Sequence, residues 1–139
     1  MAESIPIPVP VPNPDNQGFW DACRCGELRL QRCTACGAWR HHPRPICPAC
    51  RSFDYEWAPA SGRGIVHTFT IVHRPTLPAF EPHLPYNVIV VRLDEGPFMV
   101  SNLIDAPADA LRIGLPVEVV FQPLDDTIAL PKVRPRRDA

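Results

Sequence analysis

Cys33-Thr34-Ala35-Cys36-Gly37 and Cys47-Pro48-Ala49-Cys50 are two C-x2-C pairs with ten residues between them. Zinc takes four deprotonated soft ligands at the corners of a tetrahedron, with Zn–S near about 2.3 Å. A tight turn between two cysteines brings both thiolates to one side of a metal, and two such turns on facing hairpins complete a zinc ribbon. Gly37 supplies the positive φ that such a turn often needs, and Pro48 stiffens the second turn. The spacing therefore assigns Cys33, Cys36, Cys47 and Cys50 as ligands of one structural zinc. Four cysteines close the coordination sphere and leave no open position for catalysis. A redox dithiol is the competing reading of Cys-Pro-Ala-Cys. It wants a strand before it and a helix after it, where this chain offers Pro43, Pro45 and Pro48. His41 and His42 fall inside the ribbon and read as surface or supporting residues. Cys23 and Cys25 form a C-x-C beside a helix end, a weak metal signal, and read as ordinary reduced thiols.

Outward from the ribbon, taken as residues 28–56, the N-terminal side divides into an arm over 1–15 and a short helix within 16–27. Ile5-Pro6-Ile7-Pro8-Val9-Pro10-Val11-Pro12 alternates β-branched residues with proline. Each proline removes an amide donor and restricts the residue before it, so the segment is expected as extended polyproline II. It is either a stiff tail or a strap along a partner's surface. Asn13-Pro14-Asp15-Asn16 predicts a turn and N-cap, followed by a helix through Phe19 and Trp20 to about Cys23.

On the C-terminal side, residues 57–133 read as β. Strands are expected over 64–72, 86–93, 98–103, 117–121 and 127–133, with a helical turn or two over 107–113 stopped at Gly114. The run Val88-Ile89-Val90-Val91 suggests burial on both faces. Five strands with a short helix between the third and fourth is the order of an OB-fold barrel. The fold class is thus mainly β: short helix, zinc ribbon, five-stranded barrel. Tyr55, Trp57 and Phe69 read as core. His67 and His73 would share a face if the first barrel strand ran that far, but read as ordinary barrel or interface residues. The loop over 74–85 carries four prolines, and its Leu77, Phe80 and Leu84 would need cover from water by self-packing or by a ligand or partner. The basic tail over 134–139, with Arg134 and Arg136, is expected to be solvated, with an anion such as a CoA phosphate, or nucleic acid, as the functional readings.

Composition narrows the classes. The chain has 139 residues, a formal net charge of -1 and a pI of about 6.5, so no global field favours nucleic acid or an anionic membrane. Nineteen prolines against seven glycines exclude a coiled coil. No apolar run approaches the roughly 20 residues of a membrane span. The N-terminus lacks a signal peptide's basic and apolar segments, which points to the cytoplasm, where six cysteines are unsuited to structural disulfides.

The ribbon Leu28 to Gly37, Pro43 to Cys50, Ala60-Ser61-Gly62-Arg63-Gly64-Ile65-Val66, Leu93-Asp94-Glu95-Gly96 and Ile113-Gly114-Leu115-Pro116-Val117 together resemble one family, from Phe19-Trp20 to about Pro131. They look like the DUF35 proteins, in which a rubredoxin-like zinc ribbon precedes an OB-fold. The resemblance implies a small accessory partner of thiolase-like enzymes in acyl-CoA metabolism, as in archaeal thiolase assemblies, benzoylsuccinyl-CoA thiolase and aldolases that shorten steroid side chains. Catalytic residues then belong to the thiolase-fold subunit. The zinc–OB chain stabilises that enzyme and helps shape its acyl-CoA channel, and the expected assembly is a 2:2 heterotetramer. Cys23 and Cys25 depart from the family's pattern.

The resulting expectation is a chain that is no enzyme on its own. A single-stranded nucleic-acid binder is the alternative, since ribbons and OB barrels both occur there. A free-standing acyl-CoA enzyme is the third reading.

Overall fold

The computed structural model describes residues 6–137. Helix α1 (Gln17–Arg24) turns Phe19, Ala22 and Cys23 inward. Their i, i+3, i+4 spacing makes one apolar face. Asn16 does not cap it with its side chain. Instead the Asn16 Oδ1 accepts the Asn13 N–H at 2.7 Å, and the Asn13 Oδ1 accepts the N–H groups of Asp15 and Asn16 at 2.9 and 3.0 Å. The two amides build the turn that the sequence led us to expect and leave the expected cap unmade.

The ribbon is a three-stranded antiparallel sheet of β1 (Arg29–Cys33), β2 (Trp39–Arg40) and β3 (Tyr55–Pro59), in the order β2-β1-β3. β3 pairs with β1 along its whole length, from Cys33 opposite Tyr55 to Arg29 opposite Pro59. A boundary at 56/57 therefore runs through a strand, and Trp57 belongs to the ribbon sheet. The two units share one core, in which Phe19, Leu28 and Leu30 pack with barrel residues such as Val66, Ile89 and Val117.

The second sheet has β4 (Arg63–Val72), β5 (Tyr86–Leu93), β6 (Phe98–Ser101), β7 (Pro116–Pro123) and β8 (Ala129–Pro135), ordered β6-β5-β4-β7-β8 with antiparallel neighbours. It curls until its edges meet at a parallel bridge between Leu103 and Val133, flanked by Val133 N–H to Asn102 O at 3.1 Å and Ile104 N–H to Val133 O at 2.8 Å. This is the expected five-stranded OB-fold, its sheet curled into a half-barrel. Curling brings β4 and β5 so close at Gly64 that a Cβ there would stand 2.5 Å from the Arg92 carbonyl oxygen. A register shift between Val66 and Thr68 adds twist.

Several expectations are corrected. Ile89 and Val91 are fully buried, but Val88 and Val90 are only half-covered, because β5 has a complete packed layer on one face alone. Between β6 and β7 the expected helical turn is present but reduced to a single 3-10 turn, Ala108–Ala110. So short a segment, held between Pro107 and Gly114, gains too few hydrogen bonds to offset helix nucleation. β8 runs on to Pro135 against β7, so the tail does not begin at 134. Positions 138–139 of that tail lie outside the described residues, as does Ile5 of the arm. The described arm runs extended with no ladder partner. Ile7 and Pro10 are half-buried against the chain's own barrel end, while Val9 and Val11 are exposed.

Candidate metal centre and its surroundings

The Sγ atoms of Cys33, Cys36, Cys47 and Cys50 all lie within 4.8 Å of one another. Cys33 to Cys50 is 3.5 Å and Cys36 to Cys47 is 3.7 Å. Those separations are far beyond a disulfide bond, and match the roughly 3.8 Å edge of a tetrahedron with about 2.3 Å arms. Each knuckle closes the same way: Gly37 N–H reaches Cys33 O at 2.8 Å, and Arg51 N–H reaches Cys47 O at 2.8 Å. Gly37 has φ +79 and Arg51 has φ 67, so both turns need the left-handed conformation. The need at Gly37 was legible. Arg51 was missed, although the equivalence of the two knuckles is a signal that finds it.

Backbone N–H groups aimed at sulfur prepare the thiolates. The Cys36 N–H lowers the pKa of Cys33, and the Cys50 N–H pulls Cys47 down to about 6. At Cys50 the Ser52 N–H favours the thiolate, yet the crowding sulfurs of Cys33, Cys36 and Cys47 outweigh it and raise the pKa to about 12. Four sulfurs this close cannot all ionise without a cation among them, and a divalent soft metal relieves that conflict. The donor set fits such an ion.

Behind the ribbon lies a polar group that sequence reasoning missed. Arg40 and Gln31 are only 5% and 1% exposed. The Arg40 Nε donates to Gln31 Oε1 at 2.7 Å, and the Arg44 N–H donates to the same oxygen at 2.7 Å. Arg40 also donates to the Arg44 carbonyl at 2.8 Å and lies over the Tyr55 ring, 5.0 Å from its centroid. Gln31 Nε2 and Arg40 Nη1 find no partner. His41 is not a surface residue. Its ring stacks on Phe19 and His42 at 5.1 and 4.3 Å, and burial, then the neighbouring His42 charge, lowers its pKa to about 4.

Cys23 and Cys25 stand apart from the cluster. Cys23 is a core residue whose thiol burial pushes up to about 12, while Cys25 is exposed. Of the three aromatics expected in the core, Tyr55 lies under Arg40 and Trp57 under α1 at Gly18, but Phe69 is 36% exposed. His67 sits at the register shift against Phe98, and His73 falls beyond the end of β4. The loop over 74–85 winds into a 3-10 turn, Pro78–His83, with Ala79 buried and Phe80 5.8 Å from the Tyr86 ring. Leu84 is half-buried and Leu77 stays 46% exposed. Arg134 is bound to Glu118 at 2.9 Å, its cross-strand neighbour, and the Arg136 N–H continues the ladder to Pro116 O. Neither is part of a loose tail.

Two cysteine knuckles on a three-stranded ribbon, joined to a curled OB sheet, define a zinc-ribbon–OB-fold protein. Family models agree: residues 20–56 match the rubredoxin-like zinc ribbon domain of ChsH2, and residues 57–122 match its C-terminal OB-fold domain. The chain belongs to the DUF35 family of ChsH2-type proteins. It is similar to the ChsH2 chain of a solved "Ltp2-ChsH2(DUF35) aldolase", with TM-score 0.82 and 40% identity over 91% of this chain and 98% of that one. It is 41% identical over 121 residues to a probable enoyl-CoA hydratase alpha subunit of Thermomonospora curvata, covering 87% of this chain and 37% of the relative. It is 35% identical over 107 residues to the 3-oxo-4,17-pregnadiene-20-carboxyl-CoA hydratase alpha subunit of Mycobacterium tuberculosis, covering 77% and 33%. The chain thus spans about a third of the length of these two subunits. Among the described residues, no helix is long and apolar enough to cross a membrane.

Proposed function

We propose that this chain is the non-catalytic, zinc-bearing subunit of an acyl-CoA carbon–carbon lyase of the aldolase type. A thiolase-fold partner carries the catalytic residues, in a 2:2 assembly in the cytoplasm. The observation that supports this most is the match over 98% of the ChsH2 chain in the aldolase complex. The hydratase alpha subunits add acyl-CoA, and a steroid carbon skeleton, as the substrate class to test first.

Cys33, Cys36, Cys47 and Cys50 hold one zinc. When bound, it ties the two knuckles together and, with every position taken by thiolate, offers none to substrate. Around it the chain's own residues do the rest. Arg40 and Gln31 brace β1 against β2, and Leu28 and Leu30 fix the ribbon to the barrel. Leu77, Phe80 and Leu84 form the surface that meets the partner or the acyl-CoA. Arg134, held in β8 by Glu118, and Arg136 beside it are the residues through which the chain would meet a CoA phosphate.

The test is affinity capture of the tagged chain from its native host, with mass spectrometry and light scattering of what co-purifies. A stoichiometric thiolase-fold subunit at 2:2, giving retro-aldol cleavage of an acyl-CoA only when both chains are present, is the expected result. Turnover by either chain alone, or recovery with nucleic acid, overturns the proposal. Metal analysis should give one zinc per chain, and Cys47→Ser should lose it.

A further inference from the structure

The barrel end under the proline-rich arm holds a cavity of about 660 Å³, within the usual range of small-molecule sites. Ile7, Pro8 and Pro10 of the arm form one wall, and Phe80, Leu111 and Leu124 face them. Lys132 and Asn102 are in its lining, with His83, Tyr86 and Gln122, and the same two residues border the neighbouring cavity beside Phe19 and Trp20; no acidic side chain lines the cavity under the arm among the described residues. Lys132 is the chain's one lysine against thirteen arginines. Its Nζ donates to the Asn102 Oδ1, and the Asn102 amide donates to the Asn87 carbonyl. Asn87 is in turn clamped to the Leu103 backbone by bonds of 2.7 and 3.0 Å. The ammonium is therefore held in place by a neutral relay. Lys132 has no ion-pair partner among the described residues, so no carboxylate answers it.

A half-buried ammonium has three donors, and here the Asn102 amide oxygen accepts from one of them. Burial lowers its pKa, the mark of a cation short of counter-charge. A mostly apolar chamber with one fixed ammonium in its lining, and no carboxylate, matches a ligand with a hydrocarbon body and a single anionic head. We propose that this cavity binds an aliphatic carboxylate, its head on Lys132 Nζ beside Asn102 and its chain beneath the proline-rich arm. Every residue invoked belongs to this chain, so the proposal stands whether or not the thiolase-fold partner is correct.

Calorimetry on the full, zinc-loaded chain with decanoate, decanol and decylammonium tests it. Decanoate should bind 1:1 and about tenfold or more tighter than decanol, the preference one charge-assisted hydrogen bond provides, and decylammonium should be weakest. Lys132→Met should bring decanoate down to the level of decanol. Methyl spectra of the unaltered chain make the test independent of that variant's folding: decanoate should shift Ile7, Leu111 and Leu124. Equal binding of decanoate and decanol, no binding at millimolar concentration, or shifts confined to other methyl groups overturns the proposal.

Discussion

The backbone of Gly18 lies flat against the indole of Trp57: a methyl group built on its α-carbon would stand 2.4 Å from both Cε2 and Nε1 of the ring. Gly18 is in α1 and Trp57 in β3, so this contact seats the helix on the ribbon sheet. The indole is itself wedged edge-on against Tyr55, with centroids 5.8 Å apart, and has little room to turn away. For Gly18→Ala, helix propensity gains about 1 kcal/mol and overpacking loses about 1–3 kcal/mol. The variant should be less stable by about 1 kcal/mol, the middle of that balance, in urea unfolding, despite carrying the better helix former. An unchanged or higher midpoint would show that the helix can lift off Trp57 at no cost.

The two knuckles are equivalent in backbone and unequal in residue. Gly37 meets φ +79 without strain, while Arg51 holds φ 67 with a Cβ. A left-handed conformation costs a non-glycine residue about 1–2 kcal/mol, and glycine's freer unfolded state returns part of that. Arg51→Gly should raise stability by about 0.5–1 kcal/mol and slow zinc loss to a chelator. Gly37→Ala should do the reverse. Faster metal loss from Arg51→Gly would mean that the arginine side chain holds the knuckle in some other way.

What was legible in the sequence was what is local. The C-x2-C spacing placed all four sulfurs, and β5 was read at Tyr86–Leu93 because the β-branched run Val88-Ile89-Val90-Val91 lies between Pro85 and the Asp94-Glu95-Gly96 turn. What was not legible depends on partners far along the chain. β3 looks like the start of the barrel, yet it finds all its hydrogen bonds on β1, more than twenty residues earlier. Arg134 reads as tail because its neighbours are basic and proline-rich, but Glu118 sits across the ladder from it. Arg40 has no charge signal in its own segment, since its partner is a glutamine nine residues before. Residues 107–113 form one helical turn, as read, and too short a segment to extend it into an α-helix.

That glutamine leads to the third prediction. Arg40 is a buried cation whose closest acceptors are neutral oxygens, and Gln31 Nε2 is a buried donor with no partner. Gln31→Glu keeps the shape, removes the orphan donor and places a charge beside a guanidinium that is already out of water. Removing an unsatisfied buried donor and making the bond charge-assisted are each worth about 1–3 kcal/mol, against several kcal/mol for burying a carboxylate. The guanidinium within 2.7 Å repays that cost here, and the variant should be stabilised by about 1 kcal/mol at pH 7. Gln31→Leu should instead lose about 2 kcal/mol or more, leaving Arg40 Nε and the Arg44 N–H unmet. If Gln31→Glu is the less stable of the two, desolvation outweighs pairing at this site.

His41 sets an acid limit on the fold. Burial against Phe19, helped by the neighbouring His42, holds its pKa near about 4, below the ordinary 6.5 of an unfolded histidine. Its neutral form is thus the one that fits. Above pH 6.5 both states carry neutral imidazole and the group is silent. As pH falls from 6.5 towards 4 the unfolded chain takes up a proton that the folded chain refuses, so stability drops. The shift alone corresponds to about 2 kcal/mol at pH 5, and residual access of water to the ring reduces this to about 1 kcal/mol. His41→Phe keeps an aromatic ring on Phe19 and has nothing to titrate. Protonation of the ribbon thiolates weakens both proteins alike and cancels in the comparison. Urea unfolding at pH 7.5 and pH 5 should therefore show a smaller loss for His41→Phe than for the unaltered chain. Equal losses would place the acid sensitivity wholly in the cysteine cluster.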